Sequence, residues 1–169
     1  MPLLTPSHVP RTVVSHLNPI PYDHGRALNG IHARGSTYFG TQTVPPSNTW
    51  SDGTRSFMAP MSHFHLLQSE TFHVVSGRGI WYLGDEVFEL GPGDKITIPA
   101  WRAHRFENVV GSTEGLTIEF RYDAQFFEME ESFFRNGLTY FDDCRKAGVE
   151  PSWLQYYDPG REGRREKGE

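Results

Sequence analysis

The 169 residues carry 16 basic against 21 acidic side chains, a net charge of −5, with 37% apolar and 14% aromatic content. A chain of this size can bury a full core without crosslinks, its acidic balance argues against nucleic-acid binding, and its single cysteine cannot pair internally. It has no run of about eighteen uninterrupted apolar residues, no N-x-Ser/Thr acceptor site and no long apolar N-terminal stretch, so the expectations are no membrane span and a cytoplasmic location.

Residues 1–30 contain Pro2, Pro6, Pro10, Pro19 and Pro21. Proline fixes φ and removes an amide donor, so this stretch is expected to be an extended N-terminal arm. From Ile31 to about Phe120 the chain reads as short β runs: STYFGTQTV, TRSFMAPM, SHFHLL, TFHVVSG, GIWYLG, EVFEL, DKITIP, HRFENVV and GLTIEF. Glycine, proline and aspartate separate them, with Gly84-Asp85 placed as a hairpin turn and GPGD at 91–94 as a corner. The pattern predicts an all-β sandwich or barrel over 31–122. A C-terminal extension over 123–158 follows, in which Phe126, Met129, Phe133, Tyr140/Phe141 and Cys144 recur at helical spacing. That stripe is expected to pack on the β body, with Asn136-Gly137 able to split the helix. Residues 159–169 are charged and glycine-containing and are expected to be a disordered tail.

Of eight histidines, one arrangement has a geometric logic. In His63-Phe64-His65, strand alternation points both imidazoles to one face and Phe64 to the other. Glu70 follows after LLQS, and His104 opens a later strand. Three imidazoles and one carboxylate suit a divalent transition ion, Fe, Mn, Ni, Co or Zn, and an ion preferring six ligands would keep two positions free. His73 falls on the face opposite Glu70. Phe72 and Val74 share Glu70's face and are expected along the inner wall, as is Phe106. Trp81 and Trp101 either stack on a flat substrate or fill the interior. Leu116, Ile118 and Phe120 alternate with Thr117, Glu119 and Arg121, and the polar set reads as a solvated sheet face.

At these residues the sequence resembles the cupin superfamily. Its first motif corresponds to His63-Phe64-His65-LLQS-Glu70-TFHVVS-Gly77, its second to Gly93-DKITI-Pro99-Ala100-Trp101-RA-His104-RFE-Asn108. Every spacing agrees, while Phe57 and Trp101 stand where the family often has glycine. The resemblance covers about residues 55–122 and implies a cupin-type jelly-roll β-barrel with His63, His65, Glu70 and His104 as metal ligands. No catalytic residue is carried over. The stretch SFFRNGLTYFDDCRKAGVEPS is similar to extensions on small fungal cupins linked to secondary metabolism. The implied function is a metal-dependent enzyme acting on a small aromatic or polyketide-like oxygenated molecule, with dioxygenase chemistry preferred. The alternatives are a redox-neutral isomerase, cyclase, dehydratase or decarboxylase, and a non-catalytic binding protein. A homodimer is expected from the same resemblance.

Overall fold

A computed structural model describes residues 9–151. The described chain forms two compact units, residues 17–130 and residues 9–16 with 131–151. The masses of strand lie in the first. Its strands are β1 (Ile20–Tyr22), β2 (Ala27–Ile31), β3 (Gly40–Val44), β4 (Glu70–Ser76), β5 (Gly79–Leu83), β6 (Glu86–Leu90), β7 (Lys95–Ile98), β8 (His104–Asn108) and β9 (Leu116–Tyr122). Every pairing is antiparallel, in a six-stranded sheet ordered β1-β2-β3-β9-β4-β7 and a three-stranded sheet ordered β6-β5-β8. This is a jelly-roll arrangement of two sheets, and their hydrogen bonds do not join into one closed barrel.

Alternation decides which side chains lie between the sheets. In β9 the apolar set Leu116, Ile118 and Phe120 is buried, and Glu119 on the other face pairs with His73 of β4 at 3.0 Å. In β4, Phe72 and Val74 point inward with Glu70. Phe72 meets Phe106 of β8 at 5.0 Å and Trp81 of β5 at 5.9 Å between ring centroids, so aromatic side chains from both sheets interlock. Trp81 stacks on Phe106 at 5.7 Å and has no exposed surface: it fills the interior.

Turn chemistry follows the glycines where the backbone requires them. Gly84 takes φ +60° as the first residue of the two-residue β5–β6 hairpin. Gly77, the last residue of the first motif, has φ +77°, and a Cβ there would lie 2.5 Å from the Gly115 carbonyl oxygen. Asn108, the last residue of the second, is fully buried; its N–H donates to Asn48 Oδ1 at 2.6 Å and its amide donates to the Glu114 carbonyl at 2.7 Å. Trp101 departs from this logic. It holds φ +66°, a conformation that costs a bulky residue about 1–2 kcal/mol, while its N–H donates to the His65 carbonyl at 2.8 Å. Its indole stacks on Phe64 at 6.1 Å, and both rings are more than half exposed.

Two expectations need correction. β1 and β2 lie within the stretch read as an arm, because Pro19 and Pro21 sit at or beside an edge strand whose partner is β2 alone. TRSFMAPM and SHFHLL form no regular strands; a turn closed by Ala59 N–H on the Ser56 carbonyl and the following Pro60 leave only isolated bridges, Thr49 with Arg55 and His63 with His104. The helical stripe divides at the segment containing Asn136-Gly137, as the sequence allows. The helices α1 (Phe127–Ser132) and α2 (Leu138–Ala147) flank a wide turn in which Leu138 N–H bonds back to the Phe133 carbonyl. Tyr140 and Cys144 bury against Val9, Arg11 lies 3.9 Å over the Tyr140 ring and Thr12 binds Asp143 through both N–H and hydroxyl, whereas Phe126, Met129 and Phe133 remain substantially exposed. The expected tail at 159–169 lies outside the described residues. Among those described, no helix is long and apolar enough to cross a membrane.

Asp23 closes the loop after β1. Its carboxylate accepts from Ser51 N–H and Arg26 at 2.8 Å each, and from the Ser51 hydroxyl. Burial pushes this carboxyl up, but the Ser51 and Arg26 contacts outweigh it and hold it below its ordinary value. The stabilisation is therefore present above the unfolded value near 3.8 and lost as pH falls through the lowered one. Asp23→Asn should cost about 1–3 kcal/mol at pH 7, and denaturant melts should show the gap to wild type closing below about pH 4. For Trp101, the usual order of small substitutions should invert: Trp101→Gly should be about 1 kcal/mol more stable than Trp101→Ala in urea unfolding, because glycine alone relieves the left-handed backbone.

Candidate metal centre

The antiparallel bridge between residues 63 and 104 is the seed of the site. His63 N–H donates to the His104 carbonyl at 2.9 Å and His104 N–H returns the bond at 2.8 Å, so the two residues are directly opposed and their side chains leave the same face. The rings lie 4.4 Å apart. His65, two residues on, brings its ring to 5.3 Å from His63 and 5.5 Å from His104, while Phe64 faces away with Trp101. Glu70 comes from the other sheet, at the start of β4, where it pairs with Ile98 and Tyr122. Its Oε2 lies 3.2 Å from Nε2 of both His65 and His104. One donor atom from each of the four residues falls within 4.8 Å of all the others.

The ring orientations fit a cation. His63 Nδ1 lies 2.9 Å from the Met61 carbonyl and His104 Nδ1 lies 3.0 Å from the Arg102 carbonyl, so each Nδ1 carries the proton and leaves Nε2 as the donor of a lone pair. His65 Nε2 is buried and, though 3.2 Å from Glu70, is off the line of a hydrogen bond. A buried nitrogen without a hydrogen-bond partner is what a metal-binding imidazole leaves when the ion is removed. With donors about 2.1 Å from an ion, neighbouring ligands stand about 3 Å apart and opposed ones about 4.2 Å, close to the separations found. The donor set suits Fe, Mn, Ni, Co or Zn and is wrong for the all-oxygen shells of Ca or Mg.

Electrostatics reinforce the arrangement. Burial would raise the Glu70 carboxyl, but His104 and His65 beside it hold it at about 2, so it is an anion. Burial lowers the His104 imidazole, yet the Glu70 bond and the Arg102 carbonyl leave it raised overall; His63 is lowered by burial and by the other two imidazoles. Tyr122 is buried, and burial together with the Glu70 charge raises its phenol well above the ordinary value, so it is neutral.

The remaining expected site residues separate. Phe72 lies nearest, its ring 6.5 Å from that of His104. Val74, Trp81 and Phe106 are core side chains between the sheets. Trp101 does not join the donors: its ring is 69% exposed on the Phe64 side of the segment, placed there by the positive φ that its backbone must adopt. Sequence reasoning missed Tyr122, Gln68 and Glu130. Extending the β9 alternation two residues past Phe120 would have placed Tyr122 inward; nothing in the pattern singles out Glu130, an acid beside an apolar helical stripe.

Residues 55–116 match the family model described as a cupin domain. An oxidoreductase of Beauveria bassiana is 31% identical over 100 residues, covering 58% of this chain and 33% of that protein. An oxidoreductase of Arthrobotrys oligospora is 28% identical over 105 residues, covering 60% of this chain and 42% of its own. The chain thus spans between a third and a half of the curated relatives it matches. Among solved structures, the cupin domain of Schizosaccharomyces pombe Cnp3 superposes with a TM-score of 0.48 at 9% identity over 72% of this chain and 74% of that one. Both motifs are complete, one donor atom from each of their four polar side chains lies within 4.8 Å of the other three, and the family match spans them: residues 55–116 of this chain carry a cupin domain.

Proposed function

We propose that the protein is a metal-dependent cupin enzyme that acts on a small oxygenated metabolite of aromatic or polyketide type, in O2-dependent chemistry. The observation that carries this reading is the convergence of His63, His65, Glu70 and His104 within 4.8 Å, with a lone pair of His65 buried and unused. The fungal relatives named oxidoreductases support the redox branch.

The four residues would hold one ion of Fe, Mn, Ni, Co or Zn. When bound, such an ion supplies Lewis acidity toward substrate oxygens, and iron adds access to O2. The protein's own contribution is order. The paired backbone bonds of His63 and His104 fix two imidazoles, and the Met61 and Arg102 carbonyls set their tautomers. Phe72, Trp81 and Phe106 form an apolar floor that excludes water from one side of the donors.

Metal-free protein titrated with Ni2+ or Fe2+ should take up one equivalent. Replacing His104 by Ala should weaken binding by more than the about 10–100-fold that loss of a supporting partner costs. Because the proton on His104 competes with the ion and Glu70 strengthens that proton, affinity should rise from pH 5 to pH 8, and isothermal titration across that range measures it. Iron-loaded protein incubated with catechols, phenols or β-diketones should consume O2 with product formation; full turnover under anaerobic conditions would instead assign a redox-neutral isomerase or lyase.

A further inference from the structure

Among the described residues four strands lie at sheet edges, β1 and β7 in the larger sheet and β6 and β8 in the smaller. An unpaired edge offers a row of N–H and C=O groups to any extended chain, and most proteins blunt it. Three of the four are blunted here. β1 is three residues long with Pro21 at its centre, so it lacks an amide donor. β7 is four residues long, carries exposed Lys95 and runs into Pro99. The free side of β8 is closed at both ends, by the His63 bridge to His104 and by the Asn48 side chain, which accepts from Asn108 N–H at 2.6 Å and donates to the Asn108 carbonyl at 2.8 Å.

β6 has none of these devices. Its five residues contain no proline, Val87 is 61% exposed and Phe88 38%. Its two glutamates, whose charge would otherwise repel a strand like itself, are already paired within the chain, Glu86 with Arg102 at 2.7 Å and Glu89 with Arg78 at 2.8 Å. The pairing with β5 runs from Leu83 and Glu86 at the hairpin to Gly79 and Leu90. A two-residue hairpin closes on a hydrogen-bonded pair and antiparallel pairs alternate, so Glu86, Phe88 and Leu90 turn their backbone groups to β5 while those of Val87 and Glu89 point outward.

We propose that β6 is a dimerisation edge: two copies of the chain pair β6 with β6, antiparallel about a twofold axis at Phe88, and their two three-stranded sheets become one of six strands. This register sets Val87 opposite the partner's Glu89, Phe88 opposite Phe88 and Glu86 opposite Leu90. The free groups and the charges select it. Only residues 87 and 89 of the strand can exchange backbone bonds across the edge. Pairing 89 with 89 sets two carboxylates face to face, and pairing 87 with 87 sets Asp85 opposite Glu89. Pairing 87 with 89 opposes no like charges and makes both exchanges instead of one. The edge is thus complementary to itself, which names a second copy as its occupant, and a contact of this symmetry closes at two. It uses no residue of the metal centre and stands apart from the metal-dependent reading.

Sedimentation equilibrium of the full-length protein over a range of concentrations tests it, and wild type should be a dimer. Val87→Glu faces a carboxylate at both symmetry-related positions and should weaken association about tenfold. Val87→Lys faces the same carboxylates with opposite charge and should associate at least as tightly as wild type. The position is exposed, so either side chain is compatible with the fold. Oxidation of a Phe88→Cys variant reads the register separately, because facing residues of a non-hydrogen-bonded pair bring their Cα atoms to about 4.5 Å, within the span of a disulfide. That variant should give a disulfide-linked dimer, whereas Glu86→Cys, set opposite a leucine, should not; wild type, whose Cys144 is buried, is the blank. A monomeric wild type, a dimer that the two Val87 variants weaken equally, or a Phe88→Cys protein that crosslinks no better than Glu86→Cys would overturn the proposal.

Discussion

A carboxylate buried between imidazoles is the constraint from which the rest of this molecule follows. Taking an ion such as Glu70 out of water costs several kcal/mol, and the charge is tolerable only where oriented donors replace the water. Here His104 Nε2 hydrogen-bonds one of its oxygens at 3.2 Å, and the His65 ring stands at the same distance from it. The same arrangement that compensates the carboxylate gathers three nitrogens around it. A chain that satisfied Glu70 in any other way would not produce a metal-sized cluster of donors.

The two sheets make that meeting possible. Glu70 starts β4 of the large sheet, between β9 and β7, while His104 starts β8 of the small one and His63 bridges to it. Their approach is set below the site by aromatic packing across the sheets, with Phe72 against Phe106 and Trp81. Packed cores resist changes of even a methylene, so the spacing of the donors is inherited from side chains that never touch an ion. The outer faces use polar pairs for solvated stability, as His73 and Glu119 do, and keep charge away from the interior.

Much of this was legible in the sequence, and the limits of that legibility are physical. Alternation places His63 with His65 and separates both from Phe64, because the period of a strand is two whatever the partner. The motif spacing identifies Glu70 and His104 because donor convergence requires fixed loop lengths. Pattern reading failed where pairing partners decide the outcome: β1 and β2 form despite the prolines of their segment because an edge strand tolerates missing amides, and SHFHLL makes only a bridge. It failed again at Trp101, where the turn demands φ +66° from a bulky residue and turns the indole toward Phe64. Glu130 was invisible for a different reason. An isolated acid on a helix acquires meaning only from its surroundings, here Gln68 on one oxygen and nothing on the other.

The most direct measurement of the central claim is X-ray absorption spectroscopy of the protein loaded with one equivalent of Ni2+. Four side chains converging on one ion predict a first coordination sphere of nitrogen and oxygen at about 2.0–2.2 Å with the multiple-scattering signature of three imidazoles. A spectrum fitted by one imidazole or none, with the remaining positions filled by water, would contradict it.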